Sequence, residues 1–72
     1  MASFVGARFQ GADFSHCNVK TCDFTGANLA AASFYGSAID GSVFDGADLS
    51  DANFEGASAY GYVFRNGELP SH

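Results

Sequence analysis

An apolar residue returns at every fifth position across nearly the whole chain. The series is Phe4, Phe9, Phe14, Val19, Phe24, Leu29, Phe34, Ile39, Phe44, Leu49, Phe54, Ala59, Phe64 and Leu69. All eight phenylalanines of the sequence fall on it, and Ala59 is its one small member. Two positions before each stands a companion: Ala2, Ala7, Ala12, Cys17, Cys22, Ala27, Ala32, Ser37, Ser42, Ala47, Ala52, Ala57, Tyr62 and Gly67. All of these except Tyr62 are small. A period of five matches neither the helical period of about 3.6 nor the strand period of about 2. The pattern is therefore a repeat first and secondary structure second.

Side chains at i and i−2 point the same way on one short extended segment. Each five thus directs one large and one small residue inward and three residues outward, and every charged residue falls in the outward set. The chain must then turn a corner. Glycine supplies the needed backbone freedom at Gly6, Gly11, Gly26, Gly36, Gly41, Gly46, Gly56 and Gly61, while His16 stands in a glycine's place. Repeated corners wind the chain into a solenoid whose stacked turns pair their backbones.

These units resemble the pentapeptide-repeat family, whose consensus is Ala-(Asp/Asn)-Leu-X-X. The consensus is seen in Ala27-Asn28-Leu29 and Ala47-Asp48-Leu49 and, with Phe for Leu, in Ala12-Asp13-Phe14 and Ala52-Asn53-Phe54. The resemblance runs from Ala2 to about Ser71. It implies an all-β fold, a right-handed quadrilateral parallel β-helix with four fives to a coil of twenty residues. On that basis residues 1–72 form a single domain of about three and a half coils.

A period of twenty is also visible in the residues themselves. One face reads Phe4, Phe24, Phe44, Phe64 and the opposite one Phe14, Phe34, Phe54. The faces between read Phe9, Leu29, Leu49, Leu69 and Val19, Ile39, Ala59. The corner column Gly6, Gly26, Gly46, Asn66 predicts type II turns, because Asn is the usual non-glycine residue at positive φ. At about 4.8 Å per stacked strand the rod is under roughly 20 Å tall. Such a stub exposes unpaired backbone at two ends, and open edges invite pairing with another chain.

The chain carries three Lys/Arg against eight Asp/Glu, a formal charge of −5. That argues against direct nucleic-acid binding, which needs a basic face. No stretch approaches the roughly 20 apolar residues of a membrane span, so no membrane insertion is expected. No signal peptide is evident, and two cysteines without a framework suggest a reducing, cytoplasmic setting. Cys17 and Cys22 read as small buried hydrophobes, since Cys-x4-Cys with no second pair is not a zinc motif. No catalytic constellation, phosphate loop or cofactor fingerprint is present, so the chain is expected to be no enzyme and to take no cofactor or metal.

Two surface groups stand out. Asp48, Asp51, Glu55 and Glu68 leave an uncompensated acidic side, either a solvated face or a docking patch for a basic partner. At the C-terminal end Ala59 is too small for its slot and Tyr62 too large. Tyr60 and Val63 lie outward, Val63 stacks above Val43, and Phe64 stands beside them in the frame. Val43, Tyr60, Tyr62, Val63 and Phe64 thus form either a contact surface or a self-made cap. Pro70 would stop further pairing.

The residues point to a non-enzymatic protein-interaction or structural module, engaging a protein partner, a second copy or a larger assembly through its ends. The alternative draws on the resemblance: some family members mimic DNA and bind type II topoisomerases such as gyrase. So short a rod would need an end-to-end dimer to reach their length.

Overall fold

A computed structural model of the chain describes residues 2–59 and, for the backbone alone, 62–64. Strands are minimal: β1 (Ala2–Ser3), β2 (Cys22–Asp23), β3 (Ala57–Ala59) and β4 (Tyr62–Phe64). The pairing is nonetheless continuous. β1 pairs parallel with β2, Ala2 opposite Cys22, and Asp23 pairs onward with Val43. Three further columns repeat the step of twenty: Arg8–Asn28–Asp48, Asp13–Ser33–Asn53 and Asn18–Ala38–Ser58. Four ladders therefore recur at a step of twenty, and residues 2–21, 22–41 and those from 42 are called the first, second and third turns.

All but one of the described corners are closed by a hydrogen bond from the small inward residue back to the large one before it. Ala27 N donates to Phe24 O at 2.9 Å, and Ala52 N to Leu49 O at 3.0 Å. Only the third residue of each corner has positive φ, the mark of a type II turn. Gly26 at 68° represents the expected glycines. The same conformation is held by His16 (57°), Thr21 (54°), Ala31 (60°) and Asp51 (59°). The corner is thus imposed by the coil, with glycine as the least strained occupant rather than a requirement.

Inside, the two phenylalanine faces stack as columns. Ring centroids are 5.3 Å apart for Phe4–Phe24 and 5.2 Å for Phe24–Phe44, and 5.0 Å for both Phe14–Phe34 and Phe34–Phe54. Across the core the columns meet edge to face, as at Phe24–Phe34 (6.1 Å, 83°) and Phe44–Phe54 (5.8 Å, 88°). Both geometries bring a ring edge or an offset face against its neighbour's π surface. Phe24, Leu29, Phe34 and Phe54 have no exposed surface.

Two expectations fail. Cys22 is buried, but Cys17 is exposed. Its side chain occupies an inward column in the first turn, and among the described residues no turn lies beneath to cover it. The five-residue frame also stops before its predicted end. Tyr62–Phe64 does not stack in parallel above Ser42–Phe44. It runs antiparallel to β3, with Ala57 opposite Phe64, Ser58 opposite Val63 and Ala59 opposite Tyr62. Val63 therefore pairs with Ser58 rather than continuing the column of Val43. The misfits explain the reversal: a further coil would force a Tyr62 ring into a methyl-sized slot and leave a hole at Ala59. The run Tyr-Val-Phe pairs well in a strand, and only two residues separate the strands, a common hairpin length.

Candidate functional site

The outward position just before each large apolar residue holds a short acceptor side chain on most sides of the coil. That acceptor bonds the backbone N–H two residues on, at the start of the corner. Asp13 Oδ1 accepts from Ser15 N (2.9 Å), Asn18 from Lys20 (3.1 Å) and Asp23 from Thr25 (3.0 Å). Asn28 accepts from Ala30 (3.1 Å), Asp48 from Ser50 (3.0 Å) and Asn53 from Glu55 (2.9 Å). This N–H points away from the core and off the ladder, so the side chain replaces a water. The Asp/Asn of the repeat unit is thus the brace of its own corner. The sequence signal, an Asp or Asn two residues before six of the corner donors, was there to be read.

Where Ser or Thr occupies that next corner position, its hydroxyl joins the same carboxylate. Thr25 Oγ1 donates to Asp23 Oδ1 at 2.5 Å and Ser50 Oγ to Asp48 Oδ1 at 2.6 Å. These donors, the hydroxyl first and the amide second, hold the Asp23 and Asp48 carboxyls below their ordinary value, and Ser15 does the same for Asp13.

Of the predicted acidic group, Asp48, Asp51 and Glu55 are exposed in the third turn. Asp48 is committed to Ser50, and Asp51 forms the corner between two sides. Glu68 lies outside the described residues. Of the predicted contact surface, Val43 is half-buried in the ladder above Asp23. Tyr62, Val63 and Phe64 are brought together on β4, and Tyr60 lies outside the described residues.

Two contacts between turns were not expected. At the corner Val19–Cys22 the usual turn hydrogen bond is replaced by a buried serine one turn above. Ser42 Oγ donates to Val19 O and accepts from Cys22 N at 3.2 Å. His16 lays its ring against Gly36, where an added Cβ would sit 2.8 Å from Nδ1, and meets the Tyr35 ring edge-on at 5.5 Å. Among the described residues no group of His, Cys, Asp and Glu is placed to hold a metal ion, and no helix is long and apolar enough to cross a membrane.

No curated protein matches the chain. Among solved structures, a pentapeptide repeat protein from the thylakoid lumen of Arabidopsis thaliana is similar, with 32% identity and a TM-score of 0.76. The match covers 78% of this chain and 39% of that one. HetL, a pentapeptide repeat protein involved in heterocyst differentiation regulation in the cyanobacterium Nostoc sp. strain PCC 7120, shares 26% identity with a TM-score of 0.45. That match covers 81% of this chain and 33% of HetL. The chain therefore spans well under half the length of either. The thylakoid protein's likeness implies a right-handed β-helix. A pentapeptide-repeat family model matches in eight copies, over residues 2–37 and 27–66. With its five-residue frame, ladders twenty residues apart and type II corners, the chain belongs to the pentapeptide repeat family.

Proposed function

We propose that the chain is a non-enzymatic interaction module, a short four-sided β-solenoid that binds a basic protein partner through its acidic third turn. The observation that carries this reading is the segregation of charge. Residues 42–59 hold Asp45, Asp48, Asp51 and Glu55 and no Lys or Arg, whereas residues 2–21 hold Arg8 and Lys20 against Asp13 alone. Stiff ladders hold the acidic side chains in place, so binding orders little backbone, which favours recognition by a flat wall. Both cysteines are free thiols, in keeping with a reducing compartment. Pull-down with the purified chain tests the reading. Partners should be retained at low salt and lost with the double charge reversal Asp51→Lys, Glu55→Lys. Retention unchanged by that reversal would remove the acidic wall from the account.

The same segregation favours a second reading, mimicry of a polyanion toward a type II topoisomerase. Gyrase supercoiling assayed with the purified chain decides it, and unimpaired supercoiling at high micromolar protein ends that reading.

A further inference from the structure

We infer that Tyr35 and Glu55 form the docking point for an arginine side chain, by which an arginine-bearing segment of a protein partner anchors on one wall of the coil. This rests on the reading of the chain as a module for a basic partner, and it names the side chain that the partner contributes.

The wall is the one that carries the ladder Asp13–Ser33–Asn53. Residues 11–15, 31–35 and 51–55 bring Asp13, Asp51 and Glu55 to it, all exposed, and no Lys or Arg. On the walls before and after it in the chain a cation stands against an acid. Arg8 and Asp48 share one ladder, and Lys20 and Asp40 hold equivalent positions beside the other. The remaining wall also has only acids among the described residues, Asp23 and Asp45, but none of its described aromatic side chains is exposed.

Tyr35 lies in the second turn, with a turn on either side, and still keeps 44% of its surface exposed. Its place in the stack is fixed by the backbone. Tyr35 O accepts from His16 N at 2.8 Å, and Gly36 N donates to Glu55 O at 2.9 Å. Glu55 therefore stands one ladder step, about 4.8 Å, above Tyr35. The His16 ring meets the phenol at 89°, with centroids 5.5 Å apart. A ring at right angles props its neighbour and covers at most one of its two faces.

The face of a phenol ring attracts a cation. The Asp13 carboxylate is committed to its own corner at Ser15 N, so Glu55 is the acid that serves the ring. A guanidinium suits both groups. Its plane lies along the ring while its N–H edge reaches the carboxylate, and a compact ammonium has no flat face to do the same. The charge of the wall selects a cation, and the pairing of ring with carboxylate selects arginine over lysine.

Nuclear magnetic resonance titration of the full chain at low salt tests this with two capped peptides, Gly-Arg-Gly-Arg-Gly and Gly-Lys-Gly-Lys-Gly. Shifts should centre on Tyr35 and Glu55, and the arginine peptide should bind about two- to fivefold more tightly than the lysine peptide. Tyr35→Ala should abolish that preference, and Tyr35→Phe, which keeps the ring, should retain it. If Tyr35→Ala fails to fold, Glu55→Gln decides, since it should weaken the arginine peptide more than the lysine peptide. Equal binding of the two peptides, shifts centred on another wall, no binding of either, or a preference that survives Tyr35→Ala each overturns the inference. None of these results touches the pull-down with Asp51→Lys, Glu55→Lys, which judges the acidic reading by itself.

Discussion

Phe14 and Phe54 occupy the same column of the same side, one in the first turn and one in the third. Phe34 lies between them at 5.0 Å from each. Phe54 has no exposed surface, yet Phe14 is only half-buried. The small residues beside them differ in the same way. Ala52 and Ala57 are buried in the third, whereas their counterparts in the first are Ala12, half-buried, and Cys17, exposed. The repeat sets the direction in which a side chain points. Burial also needs a layer on either side, and a residue in an end layer can have the right direction without the right surroundings.

That contrast makes its strongest prediction in the phenylalanine column. Phe34→Ala should cost about 3–5 kcal/mol, the lost transfer energy plus an unfilled cavity between two rings. Phe14→Ala should cost about 1–2 kcal/mol, because part of its surface is already in water. Urea unfolding of both variants at low protein concentration checks the pair. Equal losses would mean that the first turn is covered in solution.

Next in size is the hydroxyl that ties the third turn to the end of the first. Ser42→Ala strands Val19 O and Cys22 N in a buried corner and should cost about 1–3 kcal/mol. Ser37→Ala is its control. Ser37 Oγ donates to Phe34 O at 2.7 Å, where the ordinary turn hydrogen bond from Ser37 N at 3.1 Å also remains. A smaller loss for Ser37→Ala, by thermal melts, would confirm that the bridge and not the buried hydroxyl is what matters.

The hold of the second turn on the first can be read at two corners of nearly equal φ. Gly26→Ala meets open space and should cost about 1–2 kcal/mol from positive φ alone. Gly36→Ala carries the same strain and also presses on the His16 ring. It should be the more destabilising, and His16→Ala in the same chain should bring it down to the Gly26→Ala level. If the excess survives removal of the ring, His16 is not its cause.

The smallest expected effect is the pH dependence of the corner braces. Asp13, Asp23 and Asp48 all have carboxyls lowered from 3.8 by their hydrogen bonds. A carboxyl lowered in the folded state adds stability that is complete above the unfolded value. That stability is lost as pH falls through the lower folded one. Unfolding midpoints should therefore drop as acid is added below about pH 4. Asp48→Asn keeps an Oδ1 acceptor for Ser50 N and should flatten that drop. An unchanged profile would move the acid response to the other carboxylates.

Much of the architecture was legible because it is local and periodic. Inward and outward positions, the corners, the opposed phenylalanine columns and the step of twenty all follow from side-chain size at fixed spacing, repeated often enough to exclude accident. The candidate site was less legible. Asp48 read as part of an acidic docking group, but its carboxylate first serves its own corner. That bond depends on where a backbone N–H points, which spacing alone leaves open. Tyr62 and Ala59 broke the frame visibly in the sequence, but the break was compatible with a contact surface or a cap.

The residues alone determined that this chain is a solenoid of five-residue units, because no other arrangement buries an apolar residue at every fifth position. The tertiary structure decided what each layer meets above and below it. Exposure of Cys17, the bridge from Ser42 and the reversal of β4 each depend on what lies one layer away. A layer is twenty residues distant in sequence, so a pattern repeated every five residues carries no information about it.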